Sequence, residues 1–239
     1  MTSLSVRDLT VPGRLHGVSF ALRAGTVTAV VGPNGTGKST LLQAAAGLLT
    51  ASGQIEWGGI PIERISVLDR GRRLAWVAQE AQFPFGFSVR DVVAQGRYMW
   101  GDDGNGIEAA LAALDLRDLA GRPVTRLSGG ERHRVSLARA LATGARLQLW
   151  DEPIAQLDVR HALEVSTLAR QLADRDATVL LSLHDLRVSH RFDRVLLLQR
   201  GQLVADGPPD RVLTPESIFE VFGVCARRSM SLELELPHD

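Results

Sequence analysis

The chain has 239 residues, with 27 Lys and Arg against 27 Asp and Glu, so its formal net charge is zero. A chain of this length buries about 70–75% of its unfolded surface and needs no disulfide or metal staple. The balanced charge excludes a dominant nucleic-acid field and leaves only a local basic patch as a route to one. Cys225 is the single cysteine, which excludes an internal disulfide and fits a reducing compartment. Residues 1–7 lack the basic-then-apolar order of a secretion signal. The longest charge-free stretch, residues 39–55, carries Gln, Thr, Ser and Gly, so no transmembrane helix is expected and any membrane association would run through a partner.

Residues 4–9 and 18–22 alternate apolar and polar in the strand manner, and the two runs are expected to pair. Residues 26–31, Thr-Val-Thr-Ala-Val-Val, read as a buried strand, and residues 39–48 carry helical apolar spacing. Residues 53–57 read as a strand before a Gly58-Gly59 turn, and residues 74–78 as another short strand ending at Gln79. Ser88 is positioned to cap a helix over residues 89–99. Residues 101–106 form a Gly- and Asp-rich loop, followed by a helix over 107–114. The block 84–126 separates two strand-rich halves and is expected to be a helical subdomain. Leu127 to Glu131 open a helix reaching about residue 142; residues 147–150 read as a central strand leading into Asp151-Glu152-Pro153. A helix over 161–175 precedes a buried strand at 178–182 that ends near His184-Asp185. Two strands surround a Gly201 turn, and two short helices start near Pro209 and Pro215. Strands alternating with helices imply a mostly parallel sheet and an α/β fold.

Between the buried strand and its helix lies Gly32-Pro33-Asn34-Gly35-Thr36-Gly37-Lys38-Ser39-Thr40, a phosphate-loop pattern. Glycines let successive N–H groups face inward as an anion nest, and the following helix adds its positive end. Lys38 supplies a mobile positive charge for terminal phosphates, and Ser39 a hydroxyl for Mg²⁺, a hard cation that prefers oxygen. An accidental match in a chain this long has odds on the order of 1 in 100, and the strand and helix on either side lower them.

Ser128-Gly129-Gly130-Glu131 is a Gly-rich helix start, which alone is equally an ordinary N-cap. Asp151 and Glu152 follow an apolar strand, so both should face the crevice beyond its carboxyl end. One can hold Mg²⁺ through water and the other can orient a nucleophilic water; the alternative is a solvated helix-entry pair. His184 after its strand can serve a site or merely cap a helix.

Taken together, in order and spacing, these residues resemble the nucleotide-binding domain of ABC transporters. Gly32 to Thr40 look like its Walker A motif, Leu127 to Glu131 like its signature, and Leu147 to Glu152 like Walker B with its glutamate. Gln79 matches the Q-loop, Leu157-Asp158 the D-loop and His184 the switch histidine. The resemblance covers about residues 4–222, giving an ATPase domain over 1–223 and a tail over 224–239. Three positions depart from the pattern: His133 stands where glutamine is common, Gln148 interrupts an otherwise apolar strand, and residues 10–15 offer no aromatic for adenine. Residues 87–98 and 212–223 are similar to importers of iron chelates, haem and cobalamin.

The resemblance implies a P-loop NTPase core with an antiparallel N-terminal β region and ATP and Mg²⁺ as ligands. It implies a head-to-tail homodimer in which each ATP lies under the partner's Ser128, Gly129 and Gly130. Ser39, Gln79 and Asp151 would serve the metal; Glu152 would polarise the water, with His184 and Gln79 around the γ-phosphate. A permease in the membrane, and through it a substrate-binding protein, would be the partners, with the chain peripheral on the cytoplasmic face of the inner membrane and no nucleic acid bound. The alternatives are an ABC exporter ATPase and a soluble ABC ATPase acting on nucleic acid or ribosomes. The latter would need a coiled-coil insertion, a second cassette or a basic surface, none of which the sequence carries.

Overall fold

The computed structural model describes residues 2–155 and 157–227; most of the tail over 224–239 lies outside them. β1 (Thr2–Val11) and β2 (Leu15–Arg23) pair antiparallel, with Val6 opposite Phe20 and Leu9 opposite Val18. Both strands outrun the alternating segments because a bulge resets the phase. Asp8 takes φ +51°, its N–H is caught by Ser19 Oγ at 2.8 Å, and Leu4, Val6, Leu9 and Val11 all point inward around it. β3 (Val27–Val31) is wholly buried and feeds the phosphate loop into α1 (Lys38–Ala45). β4 (Ser52–Trp57) pairs with β1 and with the short β5 (Ile60–Pro61), completing a four-stranded sheet in the order β2-β1-β4-β5. Trp57 Nε1 donates to Ala45 O at 3.0 Å, pinning the last turn of α1 to this sheet.

α2 (Val67–Arg73) is not legible as an apolar period, since none of its residues is buried; its signal is the cap, Ser66 Oγ accepting from Asp69 N. β6 (Leu74–Val77) follows. α3 (Val89–Ala94) starts at a capping box between Ser88 and Asp91, as the serine predicts. It stops at Ala94 and continues as a 3₁₀ turn, Gln95–Trp100, instead of running to residue 99. Within this turn only glycine fits at position 96, where a Cβ would clash with Arg139 O. α4 (Ile107–Ala113) completes the helical block over 84–126, and α3 and α4 pack on α5 (Gly129–Ala142), which follows it.

β7 (Leu147–Trp150), α6 (Val159–Asp174), β8 (Thr178–Ser182) and the short α7 (Leu186–Ser189) alternate as expected of an α/β chain. β9 (Arg194–Gln199) and β10 (Gln202–Gly207) form a hairpin, and α8 (Pro209–Val212) and α9 (Pro215–Phe222) both begin at proline. The central sheet has the order β10-β9-β3-β8-β7-β6, parallel throughout except for β10. Its two faces carry separate cores. Val27, Ala29, Val31, Trp150 and Leu181 pack with the helical block, while Val30, Leu149, Leu180 and Leu198 pack with α1 and the N-terminal sheet.

Gln148 is fully buried in β7 and costs little because it is satisfied: Nε2 donates to Ala145 O at 2.7 Å and Oε1 accepts from Trp150 Nε1 at 3.1 Å. Among the described residues no helix is long and apolar enough to cross a membrane.

Candidate functional site

Four adjacent parallel strands end on one crevice. The phosphate loop follows β3, His184 follows β8, Asp151 and Glu152 follow β7, and Gln79 follows β6. Residues more than a hundred positions apart therefore meet beyond the carboxyl edge of the sheet, where α/β folds bind ligands. The cleft there has a volume of about 380 Å³ and is walled by the loop from Asn34 to Thr40 on one side and Gln79, Glu152 and His184 on another. That size suits a small organic ligand.

The loop is held open by its own backbone and its neighbours. Lys38 is almost fully buried, and its Nζ donates to Gly32 O at 2.8 Å and Pro33 O at 3.2 Å. Burial lowers its pKa, opposed by the negative charges of Glu152 and Asp151. Gly37 takes φ +101°, and a Cβ there would meet Leu15 Cδ2 at 2.7 Å and Arg14 O at 2.9 Å. The β1–β2 turn thus presses against the loop and delivers Gly13 and Arg14 to the wall of the cleft. Thr36 closes the loop internally through Pro33 O at 2.9 Å, and its own carbonyl accepts from Gly201 N at 3.1 Å.

Ser39 Oγ donates to Asp151 Oδ1 at 3.1 Å, joining loop and β7. Glu152 is buried with φ +51°, a conformation uncommon outside glycine, asparagine and aspartate. Gln79 Nε2 donates to its Oε2 at 2.9 Å, and His184 Nε2 pairs with its Oε1. His184 therefore faces the cleft and does not cap α7; the cap is the next residue, Asp185, which accepts from Arg187 N at 2.9 Å. The adjacent carboxylates do not form a solvated pair, since Asp151 and Glu152 are 2% and 7% exposed.

Ser128, Gly129, Gly130, Glu131 and Asp158 do not line this cleft. Ser128 and Glu131 form a capping box at the start of α5, Ser128 N donating to Glu131 Oε2 at 2.6 Å. That hydrogen bond lowers the Glu131 pKa. Asp158 caps α6 through His161 N at 2.9 Å, and its pKa is lowered by the same bond.

Two residues carry weight that sequence reasoning missed. Ser182, fully buried at the end of β8, donates to Asp151 Oδ1 at 2.6 Å and accepts from Glu152 N at 2.8 Å. Its only signal was a hydroxyl inside the apolar run 179–183. His133 was noticed as a departure, not as a contact: its Nε2 lies 2.8 Å from Pro153 O, so Nε2 carries the proton and donates. Burial lowers the His133 pKa and the bond to Pro153 opposes that.

Comparison with known proteins agrees with this geometry. The ABC transporter family profile matches residues 15–155. A hemin import ATP-binding protein of Nocardia farcinica is 46% identical over 216 residues, 87% of this chain and 75% of that one. A cobalamin import ATP-binding protein of Halobacterium salinarum is 41% identical over 217 residues, 87% of this chain and 54% of that one. A solved inward-facing transporter described as of metal-chelate type contains a chain 30% identical, with a TM-score of 0.81, covering 94% of this chain and 90% of that one. The chain belongs to the ABC transporter family, as one of its ATP-hydrolysing nucleotide-binding domains.

Proposed function

We propose that this chain energises an importer: it binds and hydrolyses ATP on the cytoplasmic face of the inner membrane, docked on a permease that takes up cobalamin, haem or an iron chelate. The names of the similar hemin and cobalamin import proteins support the cargo class. The ATPase domain spans 1–223, with the helical block over 84–126 inserted in it.

The observation that carries the mechanism is the division of the site. The phosphate loop, Gln79, Glu152 and His184 share one cleft, while Ser128, Gly129, Gly130 and Asp158 stand at helix starts outside it. A second copy, head to tail, brings its signature helix over the first copy's nucleotide. Each half is then incomplete alone, and closure depends on ATP.

The residues present fit a triphosphate and Mg²⁺. The loop is a backbone cradle with a buried cation behind it, and Ser39 Oγ and Asp151 Oδ1 are oxygen donors already in contact. Among the described residues there is no cluster of three His, Cys, Asp or Glu to cage a metal, which suits a cation held by one carboxylate and substrate phosphates. Mg²⁺ supplies positive charge to phosphate oxygens when bound. Lys38 would neutralise the terminal phosphates, and Gln79 would serve the metal and sense the γ-phosphate. Glu152 keeps a free acceptor site on each oxygen beyond Gln79 and His184, enough to orient a water and take its proton. His184 fixes that carboxylate in place. The chemistry is positioning and electrostatics, as in phosphoryl transfer generally.

Deleting the gene and measuring uptake of labelled cobalamin, haem and ferric chelates tests the reading. Loss of one uptake, restored by the parent gene and not by Glu152→Gln, is expected. Unchanged uptake of all three overturns the importer, and co-purification with ribosomes or nucleic acid favours the soluble alternative.

A further inference from the structure

Ser182 is the last residue of β8, and β8 lies parallel to β7 with Leu181 opposite Trp150. That register sets Ser182 beside the Asp151-Glu152 step. The other four residues of β8 are equally buried. A hydroxyl in such a strand is costly unless its hydrogen bonds are met. Here they are met, and by functional groups. The O–H donates to Asp151 Oδ1 at 2.6 Å; the oxygen accepts the Glu152 N–H at 2.8 Å. An ionised carboxylate can only accept and an amide N–H can only donate, so the direction of both bonds is fixed.

Each bond constrains something the site needs. The first orients the Asp151 carboxylate, whose Oδ1 also takes the Ser39 hydroxyl. The second holds the backbone of Glu152 at φ +51°, a conformation that persists only where surrounding structure enforces it. Asp151 N on Val77 O at 2.8 Å and Ala155 N on Glu152 O at 3.2 Å support the same turn from either side. Ser182 Oγ touches both carboxylate residues with one atom.

We propose that Ser182 is a positioning residue that locks the metal-facing carboxylate of Asp151 and the water-facing Glu152 into one unit, so that neither can reorient without the other. The proposal rests on the roles assigned above to Asp151 and Glu152. Ser182 touches neither substrate nor metal; it acts through these two residues. Outer partners of this kind are worth about 10–100-fold in metal affinity or activity.

The test measures Mn²⁺ binding by electron paramagnetic resonance, with the full chain and a non-hydrolysable ATP analogue, and separately kcat and KM for ATP. Ser182→Ala and Ser182→Cys are compared with Ser182→Thr. Cysteine keeps the size but donates weakly; threonine keeps the hydroxyl. Ala and Cys are expected to weaken Mn²⁺ and lower kcat by about 10–100-fold, with KM for ATP within about threefold. Thr is expected to hold Mn²⁺ like the parent. If Ser182→Ala does not fold, by circular dichroism, the Cys variant decides. Parent-like Mn²⁺ affinity and kcat in a folded Ala or Cys variant overturns the proposal. Asp151→Asn separates the two levels. If it weakens Mn²⁺ and the Ser182 variants do not, the positioning role alone fails. If Asp151→Asn leaves Mn²⁺ binding unchanged, the metal role of Asp151 fails, and with it the ground for the proposal.

Discussion

Replacing Glu152 by glutamine removes one function and keeps the geometry. In the parent, Oε2 accepts from Gln79 Nε2 at 2.9 Å and Oε1 pairs with His184 Nε2. The glutamine oxygen can accept from Gln79, and its amide can donate to an unprotonated His184 Nε2. A neutral bond then replaces a charge-assisted one, at a cost of about 1 kcal/mol. For a chain of this size that moves the melting midpoint by about 2–4 °C. Ser182 still holds the backbone N–H of residue 152, so the turn stays in place. What disappears is proton acceptance. A positioned base contributes about 10²–10⁴-fold, which raises the barrier by about 2.7–5.5 kcal/mol. ATP binding is expected to equal or exceed the parent's, because a negative charge leaves the wall facing the phosphates. The assay is phosphate release alongside calorimetric ATP titration in excess Mg²⁺, with sizing to detect an ATP-held dimer. Hydrolysis at the parent rate would exclude Glu152 as the base; lost ATP binding would show that the carboxylate supports the cleft itself.

Lys38→Ala removes a buried cation from behind the loop, and ATP affinity is expected to fall about ten- to hundredfold, the value of one charge-assisted hydrogen bond; unchanged affinity by calorimetry refutes the cradle. Among the described residues no Phe, Tyr or Trp lines the cleft, and Arg14 brings a planar guanidinium to its wall. GTP is therefore expected to bind and turn over within about tenfold of ATP, since stacking worth roughly 1–3 kcal/mol is missing; a far larger ATP preference in competition means another group reads adenine. His133 has its pKa lowered by burial, so below the ordinary imidazole value of about 6.5 the unfolded chain takes up the proton first. Stability is expected to be flat above that value and to be lost as pH falls through the window down to the depressed one. His133→Gln, which still donates to Pro153 O, is expected to remove this slope. His133→Leu leaves the carbonyl unpaired at a cost of about 1–3 kcal/mol, and equal slopes in the parent and His133→Gln by denaturant titration refute the argument.

The sequence by itself determined the α/β class and most of the element order. Largely apolar, β-branched runs such as β3 and β8 announce strands buried on both faces, and Ser88 and Ser128 announce helix starts, because both signals come from a few neighbouring residues. The early end of α3 was not legible, and neither was the close approach of Gly96 to Arg139 O, which is made across the fold. α2 was missed because it buries nothing. Only the tertiary structure decided which motifs share the cleft and which stand at helix starts outside it. It also decided that His184 reaches Glu152 while Asp185 does the capping, and that Arg14 arrives at the cleft on the β1–β2 turn. Ser182 and His133 belong to the same class: a buried hydroxyl and a buried imidazole look like core residues until their partners are known. Hydrogen bonds between residues twenty or thirty positions apart are set by strand register and helix packing, and no local pattern in the chain encodes them.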